Sequence, residues 1–463
     1  MQRRSERALL GAATLLAVGL GVAFFFSGYQ TLIYDAWAYS ELARRLSRGG
    51  LLAAAYELRT YGYPLFVALV SGFQQLDSST IRLLVFLVQL AIYVAACAAG
   101  ARILGAVYGS RRFARMAYLV TVLNPFLLAR TTETLSDLLS AVLVYLGVVL
   151  SLPRKDARLN RVTPRAAASL FCLAFGTMVR PSNVVVLLAV AIVWLARAAL
   201  WRDLNWRAAP LLLAVVVLPF LPQLTVNYRV FGKVQPLIAQ SLYWYQERWG
   251  LAGLKYGTLV RSGEHPELLY KNPLYRGEPR PSVFLRERPV AYAATLALHL
   301  FAMFDHDFVM TYPTVRHPWH RWPLSIVNYV FLFLCLAGIA LFFRDGRSGL
   351  HDSERFAGFA LLFATAASLA LYLPILVESR FSAPAELLLT PFLVGAVMRV
   401  AELSARRDTK RLVAWALAGA LFVGSCALLS AWVAAQAPQL VDEGGTSAPM
   451  DRGPITPIPR PTY

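Results

Sequence analysis

Three acidic stretches and three arginines stand out because each lies at the edge of an apolar run, where a charge is costly unless it is wet or paired. Asp35 opens Tyr34-Asp35-Ala36-Trp37-Ala38-Tyr39. A carboxylate there can take a proton from an incoming hydroxyl within hydrogen-bond reach, and Tyr39, four residues on, shares its helical face. The plainer alternative is a helix cap, where an acid meets the helix dipole favourably. Glu133 and Asp137 lie four apart in Thr131-Thr132-Glu133-Thr134-Leu135-Ser136-Asp137, a spacing that puts both carboxylates on one side of a helix. Capping by Thr131 or Thr132, with Glu133 in the first turn, is the alternative. The third stretch is Glu378-Ser379-Arg380-Phe381-Ser382-Ala383-Pro384, whose arginine can hold a phosphate through several donors. Arg180, before Pro181-Ser182-Asn183, and Arg59, just ahead of Tyr61-Gly62-Tyr63-Pro64, offer two more. Each arginine alone would snorkel toward lipid phosphates, whereas several converging would form a phosphate site. Asp305-His306-Asp307 and His317-Pro318-Trp319-His320 hold ligand-type residues, but at no established metal spacing, and read as polar loop. No metal or cofactor is implied, and a divalent ion is left open.

The elements that must position these residues are membrane spans. The chain is 57% apolar and 15% charged over 463 residues, a mix no ordinary soluble domain shows. The apolar residues fall in runs such as 8–27, 83–104, 208–226 and 412–433, and a bilayer core needs about 20 helical residues. Arg3, Arg4 and Arg7 ahead of the first run resemble a signal sequence, but 24–29 offers no small-residue cleavage site, so this run is a retained span. The net charge of +19 does not indicate nucleic acid, because most of it sits in short connections: Arg111, Arg112 and Arg115; Arg154, Lys155, Arg158, Arg161 and Arg165; Arg399, Arg406, Arg407, Lys410 and Arg411. Short basic connections are cytoplasmic. Cys97, Cys172, Cys335 and Cys426 are scattered through apolar runs as packing residues, with neither disulfide nor zinc spacing.

Counting every apolar stretch gives thirteen crossings, which would put 105–115 and 153–165 outside, against the charge rule. If 62–76 and 290–311 instead stay on the outer face, eleven remain: 8–27, 82–104, 114–130, 134–152, 166–180, 183–200, 208–226, 322–343, 356–376, 384–400 and 411–434. The amino terminus is then inside and the tail outside. The long segments 28–81 and 227–321 both fall outside, and with them the candidate chemistry. Within the first, Leu42, Leu46 and Leu51 continue a helix-like spacing from Asp35, as in an amphipathic helix on the membrane. The second is dense in Tyr and Trp around 243–249, which argues against disorder. The Pro-rich tail, 437–463, is a mobile end beside a transmembrane unit at 1–436.

These residues resemble a family, the GT-C superfamily of membrane glycosyltransferases that use polyprenyl-phosphate sugar carriers, with its aminoarabinose- and protein-mannosyl-transferring branches. The resemblance rests on a first span followed by Asp35-Ala36-Trp37-Ala38-Tyr39, Gly49-Gly50, and then Arg59-Thr60-Tyr61-Gly62-Tyr63-Pro64. Asn124-Pro125 running into Thr132-Glu133, and the stretch Glu378 to Pro384, support it. It implies an all-α polytopic membrane protein, a GT-C-like bundle of about 11 (11–13) transmembrane helices with outer-face amphipathic helices and loops. It implies Asp35 as catalytic base and Glu133 as a second catalytic acid. Arg380 and Arg59 would hold the carrier phosphate, and Tyr39, Tyr63, Asp137, Arg180 and Glu378 would complete the substrate site. The chain departs from the oligosaccharyl-transferring members in lacking a large soluble carboxyl-terminal domain, and Asp35 is not followed by a second acid as in the protein-mannosyl branch, so the resemblance favours a lipid or glycan acceptor over protein.

The reaction implied is an inverting transfer of sugar to a hydroxyl on the outer face, with the loop 227–289 closing over the substrates. Arg- and Ala-rich, Lys-poor composition suggests a bacterial plasma (inner) membrane. The rival readings are a transporter or flippase for lipid-linked saccharides and a glycan polymerase or ligase. The former predicts mid-span charges or paired broken helices.

Overall fold

The computed structural model describes residues 2–28, 32–153, 164–201, 209–258, 267–278, 280–311, 318–345 and 352–436. The proposed mobile tail, the basic stretch 154–161 and His317 lie outside the described residues. The helices in chain order are α1 (Gln2–Ser27), α2 (Tyr34–Ala53), α3 (Gly62–Val70), α4 (Ser78–Val107), α5 (Arg111–Val122), α6 (Pro125–Arg130), α7 (Ser136–Ser151), α8 (Pro164–Val179) and α9 (Val184–Trp201). Then come α10 (Ala209–Val217), α11 (Phe220–Phe231), α12 (Tyr243–Ala252), α13 (Pro281–Glu287), α14 (Pro289–Phe304), α15 (Pro318–Asp345), α16 (Asp352–Ala370), α17 (Ala383–Ala405) and α18 (Thr409–Ala435). Between α12 and α13 a two-stranded antiparallel hairpin, β1 (Gly253–Thr258) and β2 (Glu267–Lys271), pairs Tyr256 with Leu269.

Helix boundaries follow local chemistry. The Asp77 carboxylate accepts from the backbone of Ser79 and Thr80 to start α4, Ser110 caps α5, and Asn124 caps α6 with Pro125 at its first position. Gly50, at φ +71°, breaks the end of α2, and Gly232 closes α11 in the left-handed conformation.

Among the described residues, five helices are long and apolar enough to cross a membrane, in α1, α4, α15, α17 and α18, and a sixth span forms if α10 and α11, bent by 48°, count as one. The chain therefore has a multi-pass helical membrane architecture. Helix length does not establish the expected eleven crossings. The expected span 114–130 is interrupted at 123–124 between α5 and α6, where Pro125 cannot donate to a continuing helix. The helices α7, α8 and α14 have 16 residues each, about 24 Å against a hydrocarbon core of about 30 Å. At nine residues α3 spans only about 14 Å.

Without a hydrophobic drive between helices in lipid, close packing holds the bundle together. A side chain at Gly338 of α15 would strike the Phe392 backbone of α17, so only glycine permits that approach. Val413, Leu417, Leu421 and Leu428 of α18 stay exposed, as a lipid-facing surface would.

The two ends of the bundle are tied by different contacts. At one end Arg115 pairs with Glu6 at 2.9 Å, and Arg165 donates to the carbonyls of Val149 and Leu152 at the end of α7. The carboxyl end of α17 brings Arg399 and Arg406 there. At the other end Arg82 of α4 donates to Phe25 O of α1, Ser325 of α15 to His306 O, and Ser430 of α18 to Asp305. The candidate site lies at this second end.

Candidate functional site

The site is built where chain ends meet. Asp35 sits in the first turn of α2, Asp137 in the first turn of α7, and Arg180 just beyond the end of α8. Glu378 and Arg380 precede α17. Arg59 comes from the loop between α2 and α3, which Thr60 fixes by donating to Met178 O at 2.6 Å. Gly62 makes that seating possible, since a Cβ there would lie 2.4 Å from the Met178 backbone.

Together these segments line a cavity of about 640 Å³, a volume typical of small-ligand sites. Three arginines, Arg59, Arg180 and Arg380, and three acids, Asp35, Asp137 and Glu378, face it. Arg59 donates to Asp35 Oδ1 at 2.5 Å. Arg380 reaches Glu378 Oε1 at 2.8 Å, Asp35 Oδ2 at 3.5 Å and Asp137 Oδ2 at 3.7 Å. Arg180 donates to Asp137 Oδ1. Aromatic faces back the cations: Tyr39 lies 4.4 Å from Arg59, and Phe381 4.9 Å from Arg180. Opposite them, residues 235–246 supply an uncharged wall in which Gln240, Ser241, Tyr243 and Gln246 face the cavity.

Burial would raise the Asp35 carboxyl, but the charges of Arg59 and then Arg380 override it and hold it at about 2. Glu378 moves the other way. Burial raises it, the negative charges of Asp137 and Asp35 add to the rise, and Arg380 offsets them only in part.

The cavity brings together Asp35, Tyr39, Arg59, Asp137, Arg180, Glu378 and Arg380. It does not include Glu133 or Tyr63. The Glu133 carboxylate accepts from Arg130 at 3.2 Å, from Thr311 N at 2.5 Å and from Thr311 Oγ1 at 2.9 Å, beside a separate small cavity. Because α7 begins only at Ser136, Glu133 lies in the turn before it, and the helical spacing expected of Glu133 and Asp137 does not apply. Tyr63 is fully buried, edge-on to Tyr39 with ring centroids 4.7 Å apart, and packs rather than faces the cavity. Asp35, in the first turn of α2, is placed to meet the helix dipole as its capping alternative expects, whereas capping by Thr131 or Thr132 is not seen. Asp35 makes no cap hydrogen bond, and Thr131 and Thr132 donate to the carbonyls of Leu128 and Ala129.

One solved structure is similar. It is the crystal structure of ArnT from Cupriavidus metallidurans bound to undecaprenyl phosphate, with a TM-score of 0.39 and 14% identity over 84% of this chain and 79% of that one. Identity and TM-score are too low for any residue or ligand of ArnT to be carried over to this chain. No protein-family model matches the sequence, and no curated protein matches it significantly.

Two polar clusters escape a reading of the sequence. Glu386, inside the apolar run of α17, accepts from Ser382 at 2.7 Å and Asn124 at 3.0 Å and lies 3.3 Å from His306 Nε2. An acid within an apolar run was the available signal. Asp305 and Asp307 meet the buried Lys255 of β1 at 3.2 and 2.8 Å, so these ligand-type acids serve an ion pair.

Proposed function

We propose that this chain transfers a sugar from a polyprenyl-phosphate carrier to a lipid or glycan hydroxyl, by a single inverting displacement. The observation that carries the reading is the convergence of Arg59, Arg180 and Arg380 on one cavity at the end of the bundle away from the basic connections. Guanidinium groups bind phosphate oxygens through paired donors and need no deprotonation. In a partly dry cavity, such preorganised donors stabilise the charge that develops on a departing phosphate. The cationic side would take the phosphate, and the Gln, Ser and Tyr wall the uncharged sugar. A cavity carboxylate takes the acceptor proton, the role the sequence resemblance gives Asp35.

The basic connections at one end support an orientation. Arg115 and Arg165 would face the cytoplasm and the cavity the outside of a bacterial plasma membrane. Eleven passes, with the short helices counted, belong to this proposal.

The test is transfer of labelled sugar from synthetic polyprenyl-phosphate donors by the purified chain. Carrier binding without transfer from any donor would reject the enzyme and favour transport of a lipid-linked saccharide.

A further inference from the structure

The three carboxylates of the cavity are not equivalent. Asp35 has both oxygens engaged, Oδ1 by Arg59 at 2.5 Å and Oδ2 by Arg380 at 3.5 Å, although at 36% its side chain is the most exposed of the three. Asp137 is likewise held on both, by Arg180 and Arg380, and its side chain is only 3% exposed. Glu378 differs. Its Oε1 accepts from Arg380 at 2.8 Å, its Oε2 meets no donor among the described residues, and the side chain is 18% exposed. Glu378 also lines a second, smaller cavity with Lys255, Asp307 and Thr311, so it sits at the seam between the two.

We propose that Glu378, rather than Asp35, takes the proton of the acceptor hydroxyl, with Asp35 acting as a positioning residue for Arg59 and Arg380. The assignment rests on the transfer reading above. In the step, the acceptor O–H proton passes to Glu378 Oε2 as the acceptor oxygen bonds to the anomeric carbon. The bond from that carbon to the phosphate oxygen breaks, and its electron pair leaves on the polyprenyl phosphate, whose added negative charge the three arginines meet. The proton then leaves Glu378 for the departing phosphate or for water.

Electrostatics agree with this geometry. A base works best when its pKa lies near the operating pH. Asp35, held at about 2, is a poor proton acceptor, whereas Glu378 is shifted upward. The charged groups that share the cavities of Glu378 are Arg380 on its own segment, Asp35 from α2, Arg59 after α2, Asp137 from α7, Arg180 after α8, and Lys255 and Asp307 across the second cavity, with the titratable Tyr39, Tyr243 and Tyr372 in the first and Tyr256 and Tyr270 in the second.

The test uses the full chain in lipid nanodiscs. Geranyl phosphate linked to glucose, mannose or arabinose serves as donor, octyl glucoside as acceptor, and released geranyl phosphate is measured across pH. Glu378→Gln is expected to bind geranyl phosphate within about twofold of wild type while kcat falls about a hundredfold or more, the usual range for a lost general base. The acidic limb of the kcat/KM profile should vanish with it. Glu378→Asp should keep the limb at reduced kcat. Asp35→Asn should change the donor KM and keep the limb. Wild-type release that Glu378→Gln matches, in kcat and in the limb, overturns the assignment alone, as does loss of the limb in Asp35→Asn. Loss of geranyl phosphate binding in Glu378→Gln would make Glu378 part of the phosphate site and also overturn it. Binding of geranyl phosphate by wild type with no release from any donor overturns the transfer reading, and the assignment falls with it.

Discussion

Arg59 closes on Asp35 at 2.5 Å across 24 residues of chain, tying the loop after α2 back onto the first turn of that helix. Arg380 then reaches the same carboxylate from the start of α17, so one acid holds two cations from distant parts of the chain.

Arg380 touches all three cavity carboxylates, so its removal should affect phosphate binding most. Arg380→Ala is expected to weaken geranyl phosphate binding by about 1.5–3 kcal/mol, the range for a hydrogen bond to a charged group. Arg380→Lys should restore only part of it, because an ammonium lacks the planar fork. Titration calorimetry in nanodiscs measures both, and an unchanged Kd in Arg380→Ala would remove this residue from the site.

The two shifted acids should give opposite pH signatures in stability. Asp35 is depressed, so its contribution is present above the ordinary carboxylate value of about 3.9 and is lost as pH falls through about 2. Glu378 is raised, so its contribution is full below its ordinary value and is lost as pH rises through the folded one. Asp35→Asn should therefore be less stable than wild type at pH 7, by about 1 kcal/mol or less for a partly exposed pair. Glu378→Gln should gain on wild type as pH rises from about 4 to 7. Thermal unfolding across pH checks both signs.

Gly62→Val should separate α3 from the end of α8, since its first added carbon already meets the Met178 backbone. Overpacking typically costs about 1–3 kcal/mol. Arg59 would move with α3, so binding of geranyl phosphate should fall along with the melting temperature. A variant with wild-type binding would show that this seating does not position the cavity.

Lys255→Met leaves Asp305 and Asp307 facing each other without their cation. Breaking a buried pair from one side costs about 3–5 kcal/mol, and the loss should loosen the β1–β2 hairpin first. Limited proteolysis around 253–271 is expected to speed up in the variant, and unchanged cleavage would place the anchor of the hairpin elsewhere.

Orientation can be read by labelling. Single cysteines at Arg115 and Gln240, in a chain stripped of its native cysteines, should react with an impermeant maleimide from opposite sides of sealed vesicles. Labelling of both from one side would overturn the proposed threading.

Charge at the edge of an apolar run was a legible signal, and it found Asp35, Asp137, Arg180, Glu378 and Arg380, which meet around one cavity. Glu133 carried the same signal but lies in a turn, because a polar stretch before a helix and the first turn of that helix look alike in sequence. The partners of Lys255 lie about 50 residues away, and only packing of the hairpin against α14 brings them together. Helix breaks at 123–124 and 218–219 likewise interrupt runs that hydropathy alone treats as continuous.

The matched set of three arginines and three acids gives the cavity the character of an ion exchanger. An entering phosphate need not find bare cations, which would be costly in a dry site; it trades places with carboxylates already seated there. Glu378, which shares Arg380 with the incoming anion, then becomes the stronger proton acceptor. Occupancy and basicity would thus be coupled through shared guanidinium groups, and a site with no substrate would stay electrically quiet.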